Sequence, residues 1–101
     1  MKIEAKQVSD NTFTKQFISD DIELYMSKAV DEETDKHYVV ASIKEIKQLN
    51  VTHIQYPFEF VTIQERDAYY DNFDDSQATD FLKGVVDFII NNQKEQEKND
   101  N

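Results

Sequence analysis

The sequence predicts an α+β domain: a small, mostly antiparallel β-sheet packed against a C-terminal amphipathic helix at about residues 76–92, with room for a second short helix. Three observations lead there. Two runs rich in β-forming residues, "IELYMSKAV" and "KHYVVASI", flank the five polar residues 31–35, the pattern of a hairpin. Ala78, Phe81, Leu82, Val85, Val86, Ile89 and Ile90 recur at i, i+3, i+4, i+7, i+8, i+11 and i+12, the repeat of a helix with one apolar face. Glycine and proline occur once each, so Asp, Asn and Ser must make the turns.

Taken in order, residues 2–8 and 12–18 read as strands, the second alternating Phe13 and Phe17 with polar neighbours. In the first hairpin arm Ile22, Leu24, Met26 and Val30 share one face, and in the second Val39, Ala41 and Ile43 do so. A helical stripe through Ile22, Tyr25, Met26, Ala29 and Val30, capped by Ser19, competes for the first arm. The strand is the preferred reading. "SIKEIKQLN" fits a two-turn helix, with Ser42 and Glu45 at capping-box spacing and Asn50 as a left-handed terminus, or a continued strand. "VTHIQY" and "FEFVTI" read as extended, with Pro57 marking a bend or an edge.

For the last helix, Asp74 to Ser76 supply the N-cap, with Gln77 three residues after Asp74. Phe88 and Ile90 widen its apolar arc to roughly 200°, beyond the minimum a surface helix needs. One small sheet covers only part of such an arc, so Val86, Phe88 and Ile90 are candidates for self-association as a homodimer. Gly84 reads as a small residue for close packing beside Phe81 and Phe88. The chain is expected to form a single domain over residues 1–93, followed by a frayed polar tail at 94–101.

Composition bounds the function. The net charge is −10 over 101 residues, which argues against direct nucleic-acid or anionic-membrane binding and favours a basic protein partner. No run is apolar enough to span a bilayer, the start "MKIEAKQVSD" lacks the apolar core of a signal peptide, and no cysteine is present; a cytoplasmic location is expected. Ten of the eleven basic residues are lysine, a bias that goes with AT-rich bacterial or phage genes.

Enzymatic chemistry finds little footing, and no cofactor is expected. His37 and His53 are sixteen apart with no third ligand in pattern, too few for zinc. Loops starting at Asp31 and Asp71 both lack the glycine and the terminal glutamate of a calcium-binding loop. A lone Gly84 excludes a phosphate loop and a nucleophile elbow. Nothing selects one pair of carboxylates for acid–base work. A small-molecule pocket lined by Tyr25, Tyr38 and Tyr56 is a lesser alternative, since rings of this kind usually build the core.

One stretch stands out. "ERDAYYDNFDDSQATD", residues 65–80, holds six carboxylates and one arginine, a local net of −5 and half the total charge. Asp74 and Asp75 suit a helix start. Glu65, Asp67 and Asp71 beside Tyr69, Tyr70 and Phe73 are not explained that way. On a helix Tyr69 and Phe73 share a face while Tyr70 points towards Arg66 and Asp67, which leaves a ring near solvent. Glu65, Asp67, Tyr69, Tyr70, Asp71, Asp74 and Asp75 are therefore candidate partner-binding residues, with carboxylates standing for the phosphates of DNA. In size and charge the chain resembles the small acidic inhibitors carried by phages and mobile elements, without sharing a family motif. The expected role is a non-enzymatic module acting on a basic, nucleic-acid-binding protein; a homo-oligomeric accessory protein is the alternative.

Overall fold

The computed structural model describes residues 3–10, 14–19 and 21–99, with side chains for all of these except 9, 10 and 94–99. Five strands, β1 (Lys6–Asp10), β2 (Thr14–Ile18), β3 (Ile22–Asp31), β4 (Lys36–Ile46) and β5 (Val51–Phe60), precede two helices, α1 (Ile63–Asp71) and α2 (Asp75–Asn99). The strands pair in chain order as an antiparallel meander. Both helices lie on one face of it, giving the α+β class that the patterning predicts.

Alternation decides which face is covered. Phe17, Leu24, Met26, Val39 and Ala41 are fully buried, with Ile22 and Ile43 nearly so. The register places Leu24 beside Ile43 and Met26 beside Ala41, and carries the same rows across β5 through Ile54 and Tyr56. The helical alternative for 22–30 fails because only a strand puts Ile22, Leu24 and Met26 on one side together. The opposite face, which includes Tyr25, Ser27, Val40 and Ser42, has no helix over it.

Several boundaries depart from the sequence reading. The first strand begins at Lys6 and extends to Asp10, later than residues 2–8 suggest; Met1 and Lys2 lie outside the described residues, as does Phe13 in the second. Of the two readings of "SIKEIKQLN", a two-turn helix or a continued strand, the continued strand is the one observed. The strand runs on to Ile46, which pairs with Ile22 and Val51 and is fully buried. Burying that isoleucine outweighs the capping pattern. A single 3₁₀ turn follows at Lys47–Leu49, and Asn50 closes it at φ 55°, the left-handed position expected.

Lys44 is the extra residue of a bulge against β3, where the register shifts beside Glu23 and Leu24. His53 in the neighbouring stretch of β5 adopts φ 58°. Both strands thus bend together, and Ile46 returns to the covered face. β5 is one continuous strand across Pro57. As the last strand in the order it has a free edge, the kind of strand in which proline is tolerated.

Helix α2 starts where its cap predicts: the Gln77 N–H donates to Asp74 Oδ1 at 3.0 Å. Ala78, Leu82, Val85 and Val86 are buried against the sheet. The helix continues to Asn99 instead of ending near 92, because "NNQKEQEKN" contains strong helix formers and no breaker; Asp100 and Asn101 lie outside the described residues. Two further contacts pin β1 and its approach to this helix, Ala5 N–H to Thr79 Oγ1 at 2.9 Å and Gln7 N–H to Asp75 Oδ1 at 2.6 Å.

Gly84 corrects an expectation. It is exposed, and a Cβ built there meets nothing within 4 Å, so it serves no close packing. Gly84→Ala is expected to stabilise the fold by about 0.5–1 kcal/mol, through helix propensity alone. Thermal melting should show a rise of a few degrees; an unchanged or lower midpoint would refute this account of the position.

Candidate functional site

The acidic stretch divides into an inner and an outer surface. Thr62 caps α1 by accepting the Glu65 N–H on its hydroxyl at 3.1 Å, and the helix then crosses the sheet from β5 towards β2. Tyr69, Tyr70 and Phe73 turn inwards. Tyr69 packs on Phe58 and Phe60, with ring centroids 5.8 and 5.2 Å away. Phe73 meets Phe17 edge-on at 5.4 Å and Phe81 at 6.5 Å. Burial pushes the Tyr69 hydroxyl above its ordinary titration range.

Tyr70 is 3% exposed, so it belongs to the core and offers no surface to a partner. Two ammonium groups lie over its ring, Lys15 at 4.8 Å and Lys28 at 4.9 Å. A cation over an aromatic face is attracted by the ring quadrupole, which favours both positions. Lys15 goes further. Its Nζ donates to the Tyr70 carbonyl at 2.8 Å, which also accepts the Phe73 N–H, and to the Asp71 carbonyl at 3.3 Å at the end of α1.

The carboxylates face the other way. Glu65, Asp71, Asp74, Asp75 and Asp80 are all exposed, and only Asp67 is half-buried. The arginine of the stretch does not screen them. Its guanidinium reaches in to the Ala29 carbonyl at 3.2 Å and to Asp67 at 3.1 Å. Asp67 also binds Lys28 at 3.2 Å. Lys28 first, and then Arg66, hold its carboxyl below the usual aspartate range. Asp74 and Asp75 each spend one oxygen on a backbone N–H, of Gln77 and Gln7 respectively. Asp71 enters through its carbonyl, and its side chain is exposed.

The proposed self-association residues are split by the fold. Val86 is buried in the domain's own core, Ile90 is half-buried, and Phe88 is 62% exposed. The three tyrosines of the pocket alternative are also separated. Tyr25 and Tyr38 lie on the uncovered face, while Tyr56 packs on Phe81 beneath α2 at 5.7 Å. What the uncovered face does hold is an open depression of about 560 Å³ beside the Lys44 bulge, lined by Tyr25, Ser42, Lys44, His53 and Gln55 among others. The Tyr25 hydroxyl donates to Glu23 at 2.8 Å, a bond that raises its titration range. No sequence pattern marks this depression, because it arises from a bulge.

Of the two histidines, His37 is 9% exposed and His53 is exposed. Among the described residues, no three His, Cys, Asp or Glu side chains converge as a metal site, and no helix is long and apolar enough to cross a membrane. Compared with protein-family models, with curated proteins and with solved structures, the chain finds no match. Its function has to be argued from its own side chains.

Two outcomes test this corner. Lys15→Met keeps the aliphatic stem and removes the donor from two carbonyls, and should cost about 1–3 kcal/mol in chemical denaturation. A neutral effect would mean that water replaces the ammonium. Because the folded Asp67 carboxyl titrates below its unfolded value of 3.8, its contribution is complete above that value and fades as pH falls through the lower, folded one. Asp67→Asn should therefore flatten the acid limb of the stability curve below about pH 4; a limb of unchanged steepness would remove Asp67 from the account.

Proposed function

We propose that this chain is a small, non-enzymatic protein-binding module that presents the acidic outer surface of α1 and the start of α2 to a basic partner. A protein whose own task is to hold nucleic acid is the partner that best suits it. The observation carrying this reading is the two-sidedness of residues 65–80: the rings are turned into the core and five carboxylates are turned out, with Arg66 drawn inwards. Helix capping explains Asp74 and Asp75. Glu65 stands in the first turn of α1 behind the Thr62 cap, where a carboxylate is favoured; neither effect explains Asp71 and Asp80, and none of these three carboxylates makes a hydrogen bond or ion pair among the described residues. Carboxylates spaced along two successive helical segments set up a field that steers a cationic surface into register and discriminates against acidic ones. In this role they stand where phosphates would stand for the partner. A phage or mobile-element inhibitor is a natural setting for such a module.

Self-association is a second reading with one observation in its favour, the exposed ring of Phe88 on α2. It is compatible with the first, since a dimer would offer two acidic faces.

The test is capture of a basic protein from the source cell, at about 0.05 and 0.5 M salt, where screening lengths differ several-fold. Glu65→Gln, Asp71→Asn and Asp80→Asn together leave every described capping and ion-pair contact in place. Loss of the captured protein with both salt and these substitutions is the expected result. Retention through both would show that the acidic surface is not the binding face.

A further inference from the structure

Three of the five exposed large apolar side chains among the described residues are brought to one end of the domain. They are Val30 at 49%, Val61 at 86% and Ile63 at 47% exposure. The contacts that fix them are definite. Val30 pairs with His37, and His37 with Phe60, so these three form the last row of the covered face before the β3–β4 turn. Val61 directly follows Phe60. Ile63 stands one helical turn before Arg66, whose guanidinium binds the carbonyl of Ala29, the residue next to Val30. Helix α1 covers this row only in part: His37 is buried and Phe60 packs on Tyr69 at 5.2 Å, while Val30 at the β3 end of the row stays exposed. His37 Nδ1 in that row is buried with no hydrogen-bond partner, where most such atoms have one.

The rim is acidic. Glu32, Glu33 and Asp35 in the β3–β4 turn and Glu65 on α1 are exposed and carry no ion pair among the described residues. The cations nearby are already held, Lys36 by Glu59 at 3.2 Å, and Lys28 and Arg66 by Asp67. A second copy of the chain would bring like charges together here, which disfavours it as occupant.

We infer that this turn end is a docking surface for a basic amphipathic protein segment, whose apolar side chains cover Val30, Val61 and Ile63 while its lysines or arginines meet Glu32, Glu33, Asp35 and Glu65. The inference rests on the acidic-module reading and names the place and chemistry of its contact. An apolar centre ringed by charge is the ordinary anatomy of a protein interface. Glu65 belongs to both surfaces, so the acidic face of α1 runs into the rim.

The test uses two synthetic peptides of equal positive charge, a Leu/Lys amphipathic helix and its Ser/Lys counterpart, titrated into the full chain at low salt. The Leu/Lys peptide should bind about tenfold more tightly, as expected for a few buried aliphatic groups. It should also perturb the methyl resonances of Val30, Val61 and Ile63. Val61→Ser with Ile63→Ser should erase the difference between the peptides. Val61→Ser alone, at a site that the fold barely buries, should halve it and guards against misfolding of the double variant. Equal binding of both peptides, unmoved by these changes, would overturn the docking surface and leave the acidic reading standing. No binding of either peptide at low salt would overturn both. Concentration-dependent dimers abolished by Val61→Ser would overturn it in favour of a second copy.

Discussion

The ammonium of Lys15 sits where β2, α1 and the turn into α2 converge. It is 6% exposed and held by two carbonyls at the end of α1 and by the Tyr70 ring. An uncompensated charge at such a depth would be costly, and these partners offset that cost. Its position fixes where α1 must stop, and so where Phe73 enters the core against Phe17. From there the chain has only Asp74 before α2 begins at Asp75. The aromatic seam from Phe60 through Tyr69, Phe73 and Phe81 to Tyr56 follows from that placement. With the rings committed inwards, the carboxylates of Asp71 and Asp80 between them face solvent, and those of Asp74 and Asp75 add one backbone N–H each.

Periodicity made the hairpin and α2 legible, because each buries one continuous face and the apolar residues record it. Asn50 and the Asp74 cap were legible for a different reason, since few residue types suit those backbone positions. The misread segments are those where tertiary context overrides a local rule. Ser42 and Glu45 have the spacing of a capping box, yet Ile46 gains more by joining a buried row. Of the two readings of Pro57, a bend or an edge, the edge is the one the strand order bears out. Gly84 invites a packing explanation, and its surroundings turn out to be empty.

The candidate site was half legible. That Glu65, Asp71 and Asp74 are exposed follows from their polarity and the helical spacing. That Tyr70 lies beneath two lysines does not, because polarity predicts lysine outside and no local pattern tells which ring will receive it. The turn-end surface was hidden in the same way. Val30, Val61 and Ile63 are scattered through the sequence as ordinary strand and helix residues, and the strand register, together with one arginine contact, is what brings them to one edge.

Strand order that repeats chain order has a consequence for biosynthesis. Each strand pairs with its immediate neighbour, so the meander needs no distant partner to form and its pairing is quick. Leu24, Met26, Val39 and Ile43 then line a finished sheet face while the residues that roof it, Ala78 to Val86, are still being translated. A nascent chain halted just after α1 would carry a paired sheet with much of its oily side bare, the kind of species that aggregates. Nonsense mutations near residue 75 would therefore yield an insoluble fragment rather than a trimmed domain, whereas residues 91–101 contribute no apolar side chain to that roof.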